Sequence, residues 1–171
     1  TYRAAHPLFT LTNPDRVSDM ANSLIDFGIQ HGRLPVWNMW ACETDMMIGY
    51  HSVPVIVDAI LKGFKDIDPD RALDICVQTA RTRDYRSIGT YIDKGYVPTG
   101  VDDMGGNDDW SMSRTLEYAY DDWCIAALAE YLGRTDIARE FHARAKNYEN
   151  LFNTDTGFLE PRQADGSFIT G

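Results

Sequence analysis

The sequence predicts an all-α fold closed by one short β-hairpin. Three observations predict it. Apolar residues recur at three-and-four spacing through five long segments, the pattern of helices with one buried face. Asn13-Pro14 and Asp68-Pro69 each place a capping side chain before a proline at the first helical position. Strand signals are confined to the tail, FLEPRQADGSFI, where Asp165-Gly166 reads as a hairpin turn.

The elements follow in order. Asn13-Pro14 opens the first helix, which turns Val17, Met20, Ala21, Leu24 and Ile25 inward and ends at Gly28 and Gly32. Residues 33–46 are irregular. A second helix runs over about 52–63 with Val53, Ile56, Ile60 and Leu61 inward, and Pro54 sits near its start, where proline is tolerated. Asp68-Pro69 opens a third helix to about Arg83, burying Ala72, Leu73, Cys76, Val77 and Ala80. A short helix over 87–93 stops at Gly95. Residues 95–112, GYVPTGVDDMGGNDDWSM, form a long loop, and long loops are often functional. The fourth long helix, about 113–132, is apolar on most sides, as a helix surrounded by neighbours should be. The fifth, about 136–151, sets Ala138, Phe141, Ala145 and Tyr148 on one face.

Two architectures fit this order. One is a helical repeat, which YLGRTDIAREFHARAKNY suggests, although no repeat of roughly 34 residues recurs elsewhere. The other is an α/α toroid, in which inner helices form a barrel and loops at one end build a sugar cleft.

Composition narrows the function. The 171 residues suffice for one domain with a real core. The chain begins at Thr1 and stops at Gly171 after a turn, so it reads as a piece of a larger protein. A net charge of -10 argues against nucleic acid, because a phosphate-binding surface needs excess Lys and Arg. Cys42, Cys76 and Cys124 are distant and odd in number, which predicts free and mostly buried thiols. No apolar run approaches the roughly 20 residues of a membrane span. Nucleotide, serine-hydrolase and zinc-peptidase motifs are absent, and DDMGGNDD lacks the glycine position and distal Glu of an EF-hand.

The chemistry concentrates in LPVWNMWACETDMMIGYHSVPVI, residues 34–56. Flat rings cover the apolar faces of sugars, and acids accept hydroxyl hydrogens or move protons. Glu43 and Asp45 fit substrate binding, metal coordination or proton transfer; they equally fit acids complementing a helix N-terminus. His51 is a sugar contact or a satisfied structural histidine. Trp37 and Trp40 are stacking platforms or core aromatics. Glu117 and Asp121, four apart on the fourth helix, are either a cleft wall or buried against an Arg or a backbone donor. Trp110, with Asn107, Asp108 and Asp109, forms a sugar-contacting lip or a solvated loop.

Taken together, HPLFTLTNPDRVSDM, LPVW, ETDMMIGYHSVPVI, GYVP, TLEYAYDDWCIA, NYENLF and TGF resemble glycoside hydrolase family 92, the calcium-dependent exo-α-mannosidases. The resemblance runs along essentially the whole chain. ETDMMIGYH and TLEYAYDDWC are its specific parts. It implies part of an (α/α)6 catalytic domain, roughly the first half over 1–171, with a β-sandwich domain before it and the second half of the barrel after it. It implies an inverting enzyme that removes terminal α-linked mannose from glycans. Such enzymes hold acid and base roughly 6.5–9.5 Å apart so that water fits between. It further implies Ca2+ on the mannose O2 and O3 hydroxyls, with ligands mostly outside this chain. The setting implied is secreted, periplasmic or cell-surface, in a bacterium. The family's acid and base motifs, Thr-Glu-Gly-Asn and Gly-Asn-x-Asp-Cys-Gly-Gln, do not occur in this sequence, so no residue is assigned as catalytic and none as a metal ligand. Arg3, Trp37, Glu43, Asp45 and His51 are expected to line the sugar pocket, with Tyr50 and Trp110 beside them. The alternatives are another α/α-toroid glycosidase or lyase, and a non-catalytic helical scaffold.

Overall fold

The structure is a computed structural model that describes residues 1–40, 42–101 and 110–169. Helices dominate it. They are α1 (Ala5–Thr12), α2 (Pro14–His31), α3 (Ser52–Leu61), α4 (Pro69–Ala80), α5 (Ile88–Lys94), α6 (Ser111–Tyr131) and α7 (Thr135–Arg144), followed by a 3-10 turn over Asn147–Leu151. Two hairpins of two-residue strands join them: β1 (Asn38–Met39) with β2 (Cys42–Glu43), and β3 (Phe152–Asn153) with β4 (Phe158–Leu159). Asn38 faces Glu43, and Phe152 faces Leu159.

Local sequence explains most boundaries. Asp68 caps α4, its carboxylate accepting from the backbone N–H groups of Asp70 and Arg71, with Pro69 next. Asn13 precedes Pro14 as expected, but its side chain makes no cap bond; its Oδ1 accepts from the Thr12 hydroxyl instead. The reason is that α1 ends at Thr12, so the two helices abut without a free turn. α1 itself was not expected. Its sequence, AHPLFTLT, buries no residue, so it leaves no strong periodic signal.

Gly28 lies inside α2 rather than at its end, and Gly32 in the left-handed conformation closes the helix. A Cβ on Gly28 would come 2.8 Å from Ile75 and 2.9 Å from Leu34, so this glycine permits a close helix approach.

α6 is the organising helix, packed against α3, α4 and α7. Its second half supplies apolar core residues: Cys124, Ile125, Ala126, Leu128 and Ala129 are buried. They meet Val53, Ile56 and Ile60 of α3, Leu73, Cys76 and Ala80 of α4, and Phe141 of α7 in one cluster. Each large aliphatic side chain buried there contributes about 1.5–3 kcal/mol.

Two inward assignments change. Leu61 and Tyr148 are exposed, because α3 ends at Leu61 and α7 gives way to the 3-10 turn before Tyr148. Arg144 takes the inward place on α7. α6 is not apolar on most sides: its first half buries Arg114, Thr115, Asp121 and Asp122, while Tyr120, Trp123 and Tyr131 stand exposed along one face. In the tail, Arg162 and Phe168 form a single bridge around the Asp165-Gly166 turn, and Phe158-Leu159 pairs back with β3. Residues 102–109 of the acidic loop lie outside the described residues.

Candidate functional site

The buried acids of α6 organise the site. Asp121 is fully buried beneath the turn that enters α3. Its Oδ2 accepts from the backbone N–H of Tyr50 at 2.7 Å, and its Oδ1 lies 2.9 Å from Nδ1 of His51. Burial pushes the Asp121 carboxyl above its ordinary range, while the His51 and Tyr50 bonds pull it back. One helical turn earlier, Glu117 faces the other side of His51, with Oε2 3.6 Å from Nε2.

Glu117 is itself held from the N-terminal segment. The Tyr2 hydroxyl donates to Oε2 at 2.6 Å, and Nη2 of Arg3 reaches both carboxylate oxygens at 3.0 and 2.9 Å. The Tyr2 ring stacks on His51 with centroids 4.1 Å apart. Burial and the neighbouring Glu117 carboxylate raise the Tyr2 phenol well above its ordinary value, so it stays a donor.

These residues enclose a pocket. Tyr2, Arg3, Val36, Trp37, His51 and Glu117 line it, with Met47 and Ile48 at one side, around a cavity of about 160 Å3. A cavity near 150 Å3 accommodates a benzene ring, so this pocket is on the scale of a single six-membered ring. Its lining combines aromatic and apolar side chains with a carboxylate, an imidazole and a guanidinium. That combination suits a polyhydroxylated ring with one flat apolar face.

The expected site residues separate into three places. Arg3, Trp37 and His51 meet in this pocket. Glu43 and Asp45 lie behind it, and neither sits at a helix start. The Glu43 carboxylate accepts from the backbone N–H groups of Val36, Trp37, Thr44 and Asp45 at 2.6 to 2.9 Å, which ties the loop carrying Trp37 into a knot. Asp45 has a positive φ of 53° and accepts from Arg33 and from the Tyr85 hydroxyl. The Arg33 guanidinium also lies over the Tyr85 ring.

Tyr50 belongs to the core, 1% exposed. Its hydroxyl donates to Asp122, which also receives Tyr91 and Arg144. Burial pushes Asp122 up to about 7 against the opposing pull of Arg144. Trp110 lines an adjoining groove of about 200 Å3 with Met46, Met47, Ile48 and Ser113. Trp40, beside β1, is exposed.

Tyr2 and Glu117 line the pocket beside the residues expected there. Tyr2 adjoins Arg3, but a lone tyrosine near a chain end carries no pattern. Glu117 had a signal in its i, i+4 spacing to Asp121, and both readings of that pair hold: Asp121 is buried against a backbone donor, and Glu117 walls the cleft. Among the described residues, no three His, Cys, Asp or Glu side chains converge to hold a metal ion.

Residues 1–171 match the glycosyl hydrolase family 92 catalytic domain. The chain belongs to that family. Among solved structures, it is similar to a family GH92 α-mannosidase of Bacteroides thetaiotaomicron in complex with mannoimidazole. That match has 38% identity and a TM-score of 0.91, and covers 99% of this chain and 22% of the other. An inverting family GH92 mannosidase from the same organism gives 35% identity and a TM-score of 0.87, over 100% of this chain and 23% of that one. An uncharacterized secreted glycosidase of Arthroderma benhamiae is 30% identical over 196 residues, 98% of this chain and 24% of that protein. The chain spans about a quarter of the length of the relatives it matches. Its helices are a portion of the (α/α)6 toroid of the family GH92 mannosidases, which sets aside the helical-repeat architecture. No helix among the described residues is long and apolar enough to cross a membrane.

Proposed function

We propose that this chain supplies part of the sugar-binding wall of an inverting exo-α-mannosidase that removes terminal α-linked mannose from glycans. The observation that carries the reading is the pocket in which Arg3, Trp37, His51 and Glu117 face a volume on the scale of one six-membered ring. Membership of family GH92 and the similarity to solved GH92 mannosidases support it.

In this reading Trp37 covers the apolar face of the ring. Arg3 donates to sugar hydroxyls, and Glu117 accepts from them. Glu43 acts one layer behind by fixing the Trp37 backbone, and Trp110 extends the surface toward the rest of the glycan. Proton transfer to the leaving oxygen and activation of water belong to family motifs outside this sequence. Among the described residues, no three His, Cys, Asp or Glu side chains converge on one point. The ion on which the family's activity depends is proposed to be held mostly by residues beyond this chain.

We also propose that the exposed stripe of Tyr120, Trp123 and Tyr131 on α6 is covered by the remainder of the helical domain. Contiguous exposed aromatics of this kind mark a packing surface. An extracellular or periplasmic location in a bacterium is proposed in line with the secreted relative and the Bacteroides structures.

The test is a panel of aryl glycosides offered to the full-length protein. Activity confined to α-mannosides and abolished by chelation is expected. Activity on another sugar with none on α-mannosides points to a different α/α-toroid glycosidase or lyase.

A further inference from the structure

Two hollows flank one short strap of chain, residues 46–48, which is anchored at both ends. Before the strap, the Asp45 carboxylate accepts from Arg33 at 3.1 Å and from the Tyr85 hydroxyl, and the Asp45 carbonyl accepts from Nη1 of Arg86 at 2.7 Å. After it, the Tyr50 N–H donates to the buried Asp121 at 2.7 Å. Between these anchors Met46 and Met47 are 63% and 43% exposed, so neither side chain is taken into the core. Met47 and Ile48 line the pocket of Arg3, Trp37, His51 and Glu117, and the same two residues line the groove that holds Met46, Trp110 and Ser113. The pocket and the groove therefore share a wall.

Their chemistry differs. The pocket carries a carboxylate, an imidazole and a guanidinium. The groove, of about 200 Å3, is lined among the described residues by Met46, Met47, Ile48 and Trp110, with the Ser113 hydroxyl as its polar group and no charged side chain. Trp110 stands at the entry of α6, where its carbonyl accepts from the Arg114 N–H at 2.8 Å, so the helix carries the ring. An indole beside two methionines suits flat apolar faces of varied outline, because thioether side chains repack readily.

We propose that this groove holds the sugar next to the terminal mannose and binds it through its apolar face, with Trp110, Met46 and Met47 as specificity-determining residues. The inference rests on the sugar-binding reading of the pocket: a ring held there leaves its anomeric substituent to run along the shared wall. An uncharged lining favours a neutral sugar over a phosphorylated or acidic one, whose charge would lose water without gaining a partner. Contact by ring and thioether also makes the groove tolerant of which neutral sugar follows the mannose.

The experiment compares three substrates on full-length protein. Methyl α-mannoside places only a methyl group beyond the pocket. An α-linked mannobiose places a sugar there, and phenyl α-mannoside places a flat apolar group without hydroxyls. Each variant's KM and kcat are taken relative to wild type on the same substrate, so the intrinsic reactivity of the leaving group cancels. Trp110→Ala is expected to raise KM roughly tenfold for mannobiose and for phenyl α-mannoside, and several-fold less for methyl α-mannoside, with smaller changes in kcat. Equal loss on all three substrates, or no loss on any, overturns the proposal. Loss confined to mannobiose overturns it too, since recognition would then run through hydroxyls; loss confined to the phenyl compound rules out the sugar occupant. If Trp110→Ala does not fold, Met46→Ser, at a residue already 63% exposed, carries the same comparison. A wild type inactive on every α-mannoside yet active on glycosides of another sugar removes the mannosidase reading instead. Methyl, phenyl and disaccharide derivatives of that sugar then decide the groove by the same ratios.

Discussion

Gly49 lies so close to His51 that a methyl group on its Cα would stand 2.5 Å from Cε1 and 2.6 Å from Nε2. Gly49 also has φ +77°, a conformation that side chains disfavour. Gly49→Ala therefore meets both strain and overlap, and should destabilise the protein by about 3 kcal/mol. Gly63, at φ +83° with nothing within 4 Å of its would-be Cβ, is the control. Gly63→Ala should cost about 1 kcal/mol. Urea denaturation of the two variants checks the difference.

Glu43 gathers four backbone N–H groups around one carboxylate, and these bonds hold Trp37 in the pocket wall. Glu43→Ala leaves those donors without their charged acceptor, a loss on the order of 2–3 kcal/mol. The loop over 36–45 should become the first site of cleavage in limited proteolysis, and KM for a mannoside should rise more than kcat falls.

How much of this was legible beforehand depended on the kind of signal. Helices with a buried face could be read, because Val53, Ile56 and Ile60, or Leu73, Cys76 and Ala80, repeat at helical spacing. α1 could not, because it buries nothing. Within the site, residue type located the segment around Trp37 and His51. It could not say which acids face the pocket. Glu43 and Asp45 have the same chemistry as Glu117, and only the fold shows that backbone amides occupy the first and that Arg33 and Tyr85 occupy the second. Tyr50 and His51 are neighbours in sequence, yet one points to the buried Asp122 and the other to the pocket. That split is set by where Asp121 and Asp122 lie on α6.

Asp122 offers a pH test. Burial raises its carboxyl from 3.8 to about 7 in the folded protein. Between these values the folded state binds more protons at this group than the unfolded chain does. Its contribution to stability is therefore full below pH 4 and is lost as pH rises through about 7. Asp122→Asn removes that titration. Across pH 4 to 7, the stability of wild type relative to D122N should fall with pH, by at most about 1.4 kcal/mol per unit. Parallel denaturation profiles would contradict it.

These 171 residues should not hydrolyse α-mannosides by themselves, because neither of the family's acid and base motifs occurs in them. Its exposed Tyr120, Trp123 and Tyr131 should bind a hydrophobic dye and promote self-association. Calcium-dependent mannose release by these 171 residues would overturn the assignment of the proton chemistry to other segments.

The pocket of Trp37, His51 and Glu117 is proposed to belong to an inverting α-mannosidase. Proton NMR of the first-formed product from an α-mannoside, using the full-length protein, tests it most directly. Inversion should give β-mannose first, mutarotating slowly to the equilibrium mixture. First-formed α-mannose, or no mannose at all alongside release of another sugar, would contradict it.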